Sequence, residues 1–315
     1  MGHKIVISDL DHDSIDIERE VLQKHGLDCD WRSSRTEEDV IANLQDATVL
    51  IIQYSQLTRK AIESLPNLKQ IIRYGVGVDT IDLEAATEHG IQVCNVPDYG
   101  MCEVADHAVA LTMCLLRKIY RANEDVRSGV WDFSAVAPIH RFSSMTAGII
   151  GLGRIGKEYA KRLHAFGFKI IACDPYAFDV PNFVTMVPLE TIIKVSDLIS
   201  LHCPQDSNIN LISDREFDMM KDGVFIVNVS RGGIVNEDAL DRALTSKKVA
   251  GAGLDVAMIE PMDPAHPLLK HKDVLISPHM AWYSVEAAKE LKRKVAEEAA
   301  RFVKGDPVHY PVNEI

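Results

Sequence analysis

Ala147-Gly148-Ile149-Ile150-Gly151-Leu152-Gly153-Arg154-Ile155-Gly156 runs from a β-branched strand through a glycine-spaced turn into an amphipathic helix. Each glycine of the G-x-G-x-x-G spacing has a physical reason. Gly151 permits the tight turn, Gly153 lets the backbone approach a pyrophosphate, and Gly156 lets helix and strand pack closely. The helix N-terminus supplies amides and a partial positive charge. A glycine turn without a ligand has the same spacing, so context decides. The next strand, 169–173, is followed by Asp174, where a carboxylate accepts from adenosine ribose hydroxyls and repels a 2′-phosphate. No Arg follows Asp174 within three residues, which favours NAD over NADP.

Outward from this turn, strand-like runs stand at 147–151, 169–173, 198–202, 224–228, 251–256 and 274–277. Helical stretches at 155–166, 213–220 and 236–246 separate them, the second opened by Ser213 and Glu216 in capping-box spacing. Six strands alternating with helices make a doubly wound, dinucleotide-binding sheet. Upstream, short β-branched runs at 4–8, 48–52, 68–73 and 91–93 alternate with amphipathic stretches at 14–25 and 36–44. Gly26 and Gly90 sit where helices end. Two long helices, about 102–117 and 284–303, flank the six-strand block. The expected architecture is α/β: two Rossmann-like domains with doubly wound parallel sheets, one inserted into the other. Residues 99–286 form the nucleotide domain, and 1–98 with 287–315 form a discontinuous substrate domain. The weakly periodic stretch 129–144 is an arm or a loop.

Composition narrows the function. A chain of 315 residues, 47% apolar and 25% charged, is an ordinary globular protein of about two domains. No apolar run approaches the ~18 residues of a membrane span, and polar residues from Asp9 onward exclude a signal peptide. A net charge of -12 repels nucleic-acid phosphates but leaves room for a local basic pocket. Six cysteines without C-x-x-C spacing suggest reduced thiols in the cytoplasm and no zinc site. The one dense run of metal-ligand types, Asp9-Leu10-Asp11-His12-Asp13, precedes a helix starting near 14 and is read as its cap.

Three further segments close successive strands: Asn228-Val-Ser-Arg231-Gly-Gly, Leu254-Asp255-Val-Ala-Met-Ile-Glu260-Pro and Ser277-Pro-His279-Met-Ala-Trp282. In an open α/β sheet, ligands sit beyond the carboxyl ends of the strands. Taken singly, Arg231 could be a structural ion pair, Glu260 a solvated acid and His279 a surface histidine. Together they form a set: a proton donor near neutral pH, a carboxylate to orient it, and a guanidinium for a substrate carboxylate. Beside a nicotinamide, that set suits hydride transfer to a 2-oxo acid.

On these motifs, and on Arg73-Tyr-Gly75-Val76-Gly77-Val-Asp79, the sequence resembles the D-isomer-specific 2-hydroxyacid dehydrogenase family over nearly its whole length. The resemblance implies that Arg231 binds and polarises the substrate, that His279 is the general acid/base and that Glu260 supports it. It implies substrate contacts at Arg73, Val76 and Gly77, and NAD contacts at Gly151, Gly153, Arg154, Ile155, Gly156, Asp174, His202, Pro204, Val229 and Asp255. Arg73 and Ala281-Trp282-Tyr-Ser suggest the branch that contains the C-terminal binding protein corepressors. Trp282 walls the pocket or packs at a domain seam; Arg73 is a second cation or a surface ion pair. Tyr54 is read as a packing residue that could reach the cleft. No metal is implied, and Ile315 ends the chain without the regulatory domain of long phosphoglycerate dehydrogenases. The implied partners are a small 2-oxo or 2-hydroxy acid and a second copy of the chain, the family dimerising through about 100–145; neither nucleic acid nor membrane is implied. Against the enzyme stands an NAD(H)-sensing interaction protein of corepressor type, which the trio does not separate from it. A short-chain dehydrogenase is excluded, because no tyrosine has Lys four residues on.

Overall fold

A computed structural model describes residues 3–11, 14–205 and 208–315. They fall into two compact units, Met1–Gly100 with Ser284–Ile315, and Met101–Tyr283.

In the first unit, β1 (Ile5–Ile7), β2 (Cys29–Trp31), β3 (Val49–Ile52), β4 (Gln70–Arg73) and β5 (Gln92–Cys94) form a parallel sheet in the order β2-β1-β3-β4-β5. Every residue of β1 and β3 is buried, as strands covered on both faces require. Helices α2 (Glu37–Asn43), α3 (Arg59–Glu63) and α4 (Leu83–Glu88) cover one face through Val40, Ala61, Ile62, Ala85 and Ala86. Helix α1 (Asp16–Lys24) packs on α11 (Val285–Lys304), which lies on β3 and β4. Thr36, Thr58, Asp82 and Ser284 start α2, α3, α4 and α11, each side chain accepting the amide three residues on. Each cap satisfies a donor that the helix leaves open.

The second unit carries β6 (Thr146–Ile150), β7 (Lys169–Cys173), β8 (Val184–Met186), β9 (Leu198–Leu201), β10 (Val224–Asn228), β11 (Val249–Leu254) and β12 (Val274–Ile276). Their order is β12-β11-β10-β9-β6-β7-β8, all parallel. Helices α5 (Met101–Arg117) and α7 (Arg154–Ala165) bury Ala105, Leu115, Tyr159 and Leu163 on one face. Helices α8 (Leu189–Val195), α9 (Asp214–Met219) and α10 (Glu237–Thr245) bury Ile192, Phe217 and Leu240 on the other. Each fully buried large apolar side chain contributes roughly 1.5–3 kcal/mol. The chain leaves β6 in one direction and returns to β9 on its other side. The crevice beyond these two strand ends is the topological switch point, where ligands of such sheets bind.

The sheets hold five and seven strands where the sequence suggests four and six. The additions, β2 and β8, are three-residue edge strands whose outer residues face solvent, so no apolar run announces them. Short helices α3, α8 and α6 (Ile119–Arg127) also lie beyond the sequence reading, while α4 ends just before Gly90, where a helix end is expected. Residues 129–144 contain only two short 3-10 turns, Ser134–Val136 and Phe142–Ser144. They hold up two aromatic side chains, Trp131 at 89% and Phe133 at 84% exposure. No helix among the described residues is long and apolar enough to cross a membrane.

Candidate active site

The glycine turn lies at the switch point of the seven-stranded sheet. Gly151 has φ +92°, and a Cβ there would come within 2.6 Å of the His202 and Cys203 backbone. A Cβ on Gly156 would collide with the Gly151 carbonyl oxygen. Gly153, by contrast, faces open space, with nothing within 4 Å of its Cβ position. Two glycines thus bring strand and helix together, and the third leaves the room a pyrophosphate needs. Gly153 caps α7 without a side chain, so the first-turn amides at Arg154 and Ile155 have no side-chain cap. Asp174 accepts from the Leu152 amide and the Tyr176 amide, both at 2.8 Å, which ties the ribose-binding carboxylate expected there to the turn itself. This arrangement fits a dinucleotide. Asp174→Ala should therefore reduce NADH affinity and narrow any preference over NADPH, as measured by titrating both cofactors.

The other expected cofactor contacts differ in character. Pro204 is exposed and Val229 is buried. The His202 ring packs 4.8 Å from Tyr159, and its Nε2 lies 2.9 Å from the Ser200 hydroxyl. Its Nδ1 is buried with no partner among the described residues. Burial pulls this imidazole down to about 3, so the ring is neutral, and the residue meets the turn through its backbone at Gly151 and its Cβ at Gly156.

Arg231, Glu260 and His279 all belong to the second unit and lie on loops after β10, β11 and β12. His279 Nδ1 is 2.7 Å from Glu260 Oε2, and Glu260 Oε1 accepts from the Ala257 amide at 2.9 Å. Burial works to raise the Glu260 pKa. The hydrogen bonds from His279 and Ala257, with the charges of His279 and Arg231, outweigh it and hold the carboxyl below its ordinary value. Gly232 makes the approach of Arg231 to this loop possible, because a Cβ there would collide with the Ala257 carbonyl. Asn228 donates to the Arg231 carbonyl at 2.8 Å, and Arg231 Nη1 to the Ser230 carbonyl at 2.9 Å. His279 itself has φ +53°, left-handed backbone that costs a non-glycine residue roughly 1–2 kcal/mol.

Asp255, 1% exposed, lies beneath this loop. Its carboxylate accepts from the Ser277 hydroxyl at 2.6 Å and from the Met280 and Ala281 amides at 3.0 and 2.8 Å. His107 of α5 reaches the same hydroxyl at 2.8 Å. The sequence reading contains neither His107 nor Ser277 as a functional residue, since 170 positions separate them. Trp282 stands edge-on to Tyr283, with ring centroids 5.6 Å apart.

Arg73, Val76 and Gly77 belong to the first unit. A Cβ on Gly75, at φ +118°, would collide with the Arg73 guanidinium, so glycine lets that side chain fold over the loop. Asn95 donates to the Val76 carbonyl at 2.7 Å, and Tyr74, buried, donates to Glu18 at 2.7 Å. Tyr54 is 43% exposed, with burial and Asp11 pushing its phenol up to about 12, so it stays a neutral hydroxyl. Asp9 and Asp11, the described acids of the run, do not cap α1, which begins at Asp16 behind Ile15. Asp9 instead accepts from the Gln53, Tyr54 and Ser55 amides, and Asp11 pairs with Arg35. The Asp9 carboxylate answers unpaired amides at the end of β3, a demand the linear run does not reveal. His12 and Asp13 lie outside the described residues.

Parallel sheets, a glycine turn at the switch point and a His–Glu pair at neighbouring strand ends define a two-unit, dinucleotide-binding α/β architecture. The family model for the D-isomer specific 2-hydroxyacid dehydrogenase NAD binding domain matches residues 109–281, and the chain belongs to that family. It is 38% identical over 297 residues to D-3-phosphoglycerate dehydrogenase of Archaeoglobus fulgidus, covering 93% of this chain and 56% of that one. The chain thus spans a little over half the length of that relative. It is 35% identical to hydroxypyruvate reductase of Blautia hydrogenotrophica, covering 88% of this chain and 89% of the relative. D-lactate dehydrogenase of Aquifex aeolicus, solved with NAD and lactic acid, superposes with TM-score 0.87 at 27% identity, covering 96% of each chain.

Proposed function

We propose that the protein transfers hydride between NAD(H) and C2 of a small 2-oxo or D-2-hydroxy acid. The observation that carries this is the 2.7 Å contact of His279 with Glu260 at the strand ends beyond the glycine turn. Bound at the glycine turn and Asp174, the nicotinamide cofactor supplies the hydride. Glu260, kept ionised, takes the Nδ1–H of His279 and fixes the orientation of the ring. Nε2 is then left to give a proton to the C2 oxygen in reduction and to take one in oxidation. Arg231 holds the substrate carboxylate and polarises the adjacent carbonyl. Arg73, with the amides of Val76 and Gly77, is assigned the remaining carboxylate contacts, and Trp282 a wall of the pocket.

The test is loss of NADH absorbance against a panel of 2-oxo acids that includes hydroxypyruvate and pyruvate. Fast turnover of one acid, lost in His279→Ala, is expected. Tight NADH binding without turnover of any member would overturn the reading.

The assembly we infer is a homodimer through the arm at 129–144. Trp131 and Phe133 are large apolar side chains that a monomer leaves in water, and a second copy would cover them. Sedimentation should show a dimer that Trp131→Ser with Phe133→Ser weakens. The six free cysteines agree with a cytoplasmic setting.

A further inference from the structure

We propose that His107 is a positioning residue that holds the His279 loop in place through the Ser277 hydroxyl and the Asp255 carboxylate. The inference rests on reading His279 as the group that exchanges the proton.

The loop has an unusual mechanical task. His279 must keep φ +53°, a conformation its own backbone does not favour. Its amide donates to the Asp255 carbonyl at 2.8 Å and the Ser277 carbonyl at 3.0 Å. The next two amides, Met280 and Ala281, donate to the two oxygens of the Asp255 carboxylate. Asp255 is therefore the post to which the loop is tied, by its backbone and its side chain. Its own backbone is fixed in turn, the amide donating to the Asn228 carbonyl at 2.9 Å.

A buried carboxylate holds its position only while donors surround it. The Ser277 hydroxyl, at 2.6 Å, is the shortest of the three donors. A serine hydroxyl rotates, and its direction is set by what else it bonds. His107 Nε2, 2.8 Å away, supplies that direction. With Nε2–H donated to Ser277 Oγ, the only hydroxyl proton points at Asp255 Oδ1. The same ring nitrogen lies 3.6 Å from Oδ1, so an imidazolium at 107 would also face the carboxylate charge directly. Asp255, expected to contact the cofactor, has both oxygens engaged within the chain. Beside any cofactor contact, it anchors the loop, with His107 as the group that keeps the anchor set.

The test compares His107→Ala, His107→Gln, Ser277→Ala and the double replacement of both by Ala with the parent chain. The first readout needs no substrate: hydrogen exchange of the amides of His279, Met280 and Ala281. His107→Ala should speed exchange there by about tenfold, leaving β6 unchanged. His107→Gln should restore protection, because its side-chain N–H replaces Nε2–H. The double variant should exchange no faster than Ser277→Ala alone, since both act through one hydroxyl. The second readout is turnover of the preferred acid, where kcat should fall about tenfold and the KM for NADH should hold. Unchanged exchange in His107→Ala, or independent effects that multiply, would overturn the inference. If the parent turns over no acid while exchange responds as described, the proposed reaction falls and the positioning role stands. If His107→Ala does not fold, His107→Gln and Ser277→Ala still decide, the first keeping the loop protected and the second releasing it.

Discussion

Replacement of His279 by alanine should lower kcat for 2-oxo acid reduction by about 10²–10⁴-fold, the usual contribution of a placed general acid. The NADH dissociation constant should hardly change, because the glycine turn and Asp174 do not involve this side chain. Glu260→Gln tests the partner. It keeps an acceptor for Nδ1–H but loses the carboxylate charge beside the ring, so reduction should slow while NADH binding holds. The Glu260 carboxyl titrates below the ordinary value, so its charge is present above that value and is lost only as pH falls through the lowered one. Stopped-flow kinetics with saturating NADH would show both effects. Retention of more than about a tenth of the parent rate in His279→Ala would mean that another group supplies the proton.

Acid should unfold the second unit through His202. Burial lowers this imidazole from 6.5 to about 3, so between these values the unfolded chain binds a proton that the folded chain does not. Its contribution is complete above pH 6.5 and is lost as pH falls towards 3. At 1.36 kcal/mol per pH unit, the loss approaches roughly 2 kcal/mol by pH 5 and roughly 5 kcal/mol at the acid limit. His202→Gln retains a donor for Ser200 and removes the titration. Urea unfolding of parent and variant at pH 7.5 and pH 5 should therefore diverge at the lower pH, with the parent losing more. Parallel losses would show that the ring accepts its proton without unfolding.

Much of the second unit is legible because its signals are local. The G-x-G-x-x-G turn, the capping pair Ser213–Glu216 and the apolar runs of β6, β9 and β10 each announce themselves within a few residues. Arg231, Glu260 and His279 stand out because each follows a strand, and strand ends converge in such a sheet. The remainder is not local. Edge strands β2 and β8 take their identity from a neighbour's unpaired backbone rather than from their own side chains. Asp9 looks like a helix cap until the fold brings the Gln53–Ser55 amides to it. His107 looks like one residue on a mostly apolar helix until β12 delivers Ser277 to it.

The close approach at Gly232 carries a consequence for any survey of substitutions. Scored by turnover, this position should tolerate as little as His279, although it takes no part in proton exchange. Any side chain there displaces the Ala257 carbonyl and with it the amide that holds Glu260. Scored by the yield of folded protein, the two should separate. Variants at 279 should accumulate normally, while bulky variants at 232 should be depleted in proportion to side-chain size. A map of intolerance alone would mark both as chemistry; the pair of maps distinguishes a residue that reacts from one whose smallness lets others meet.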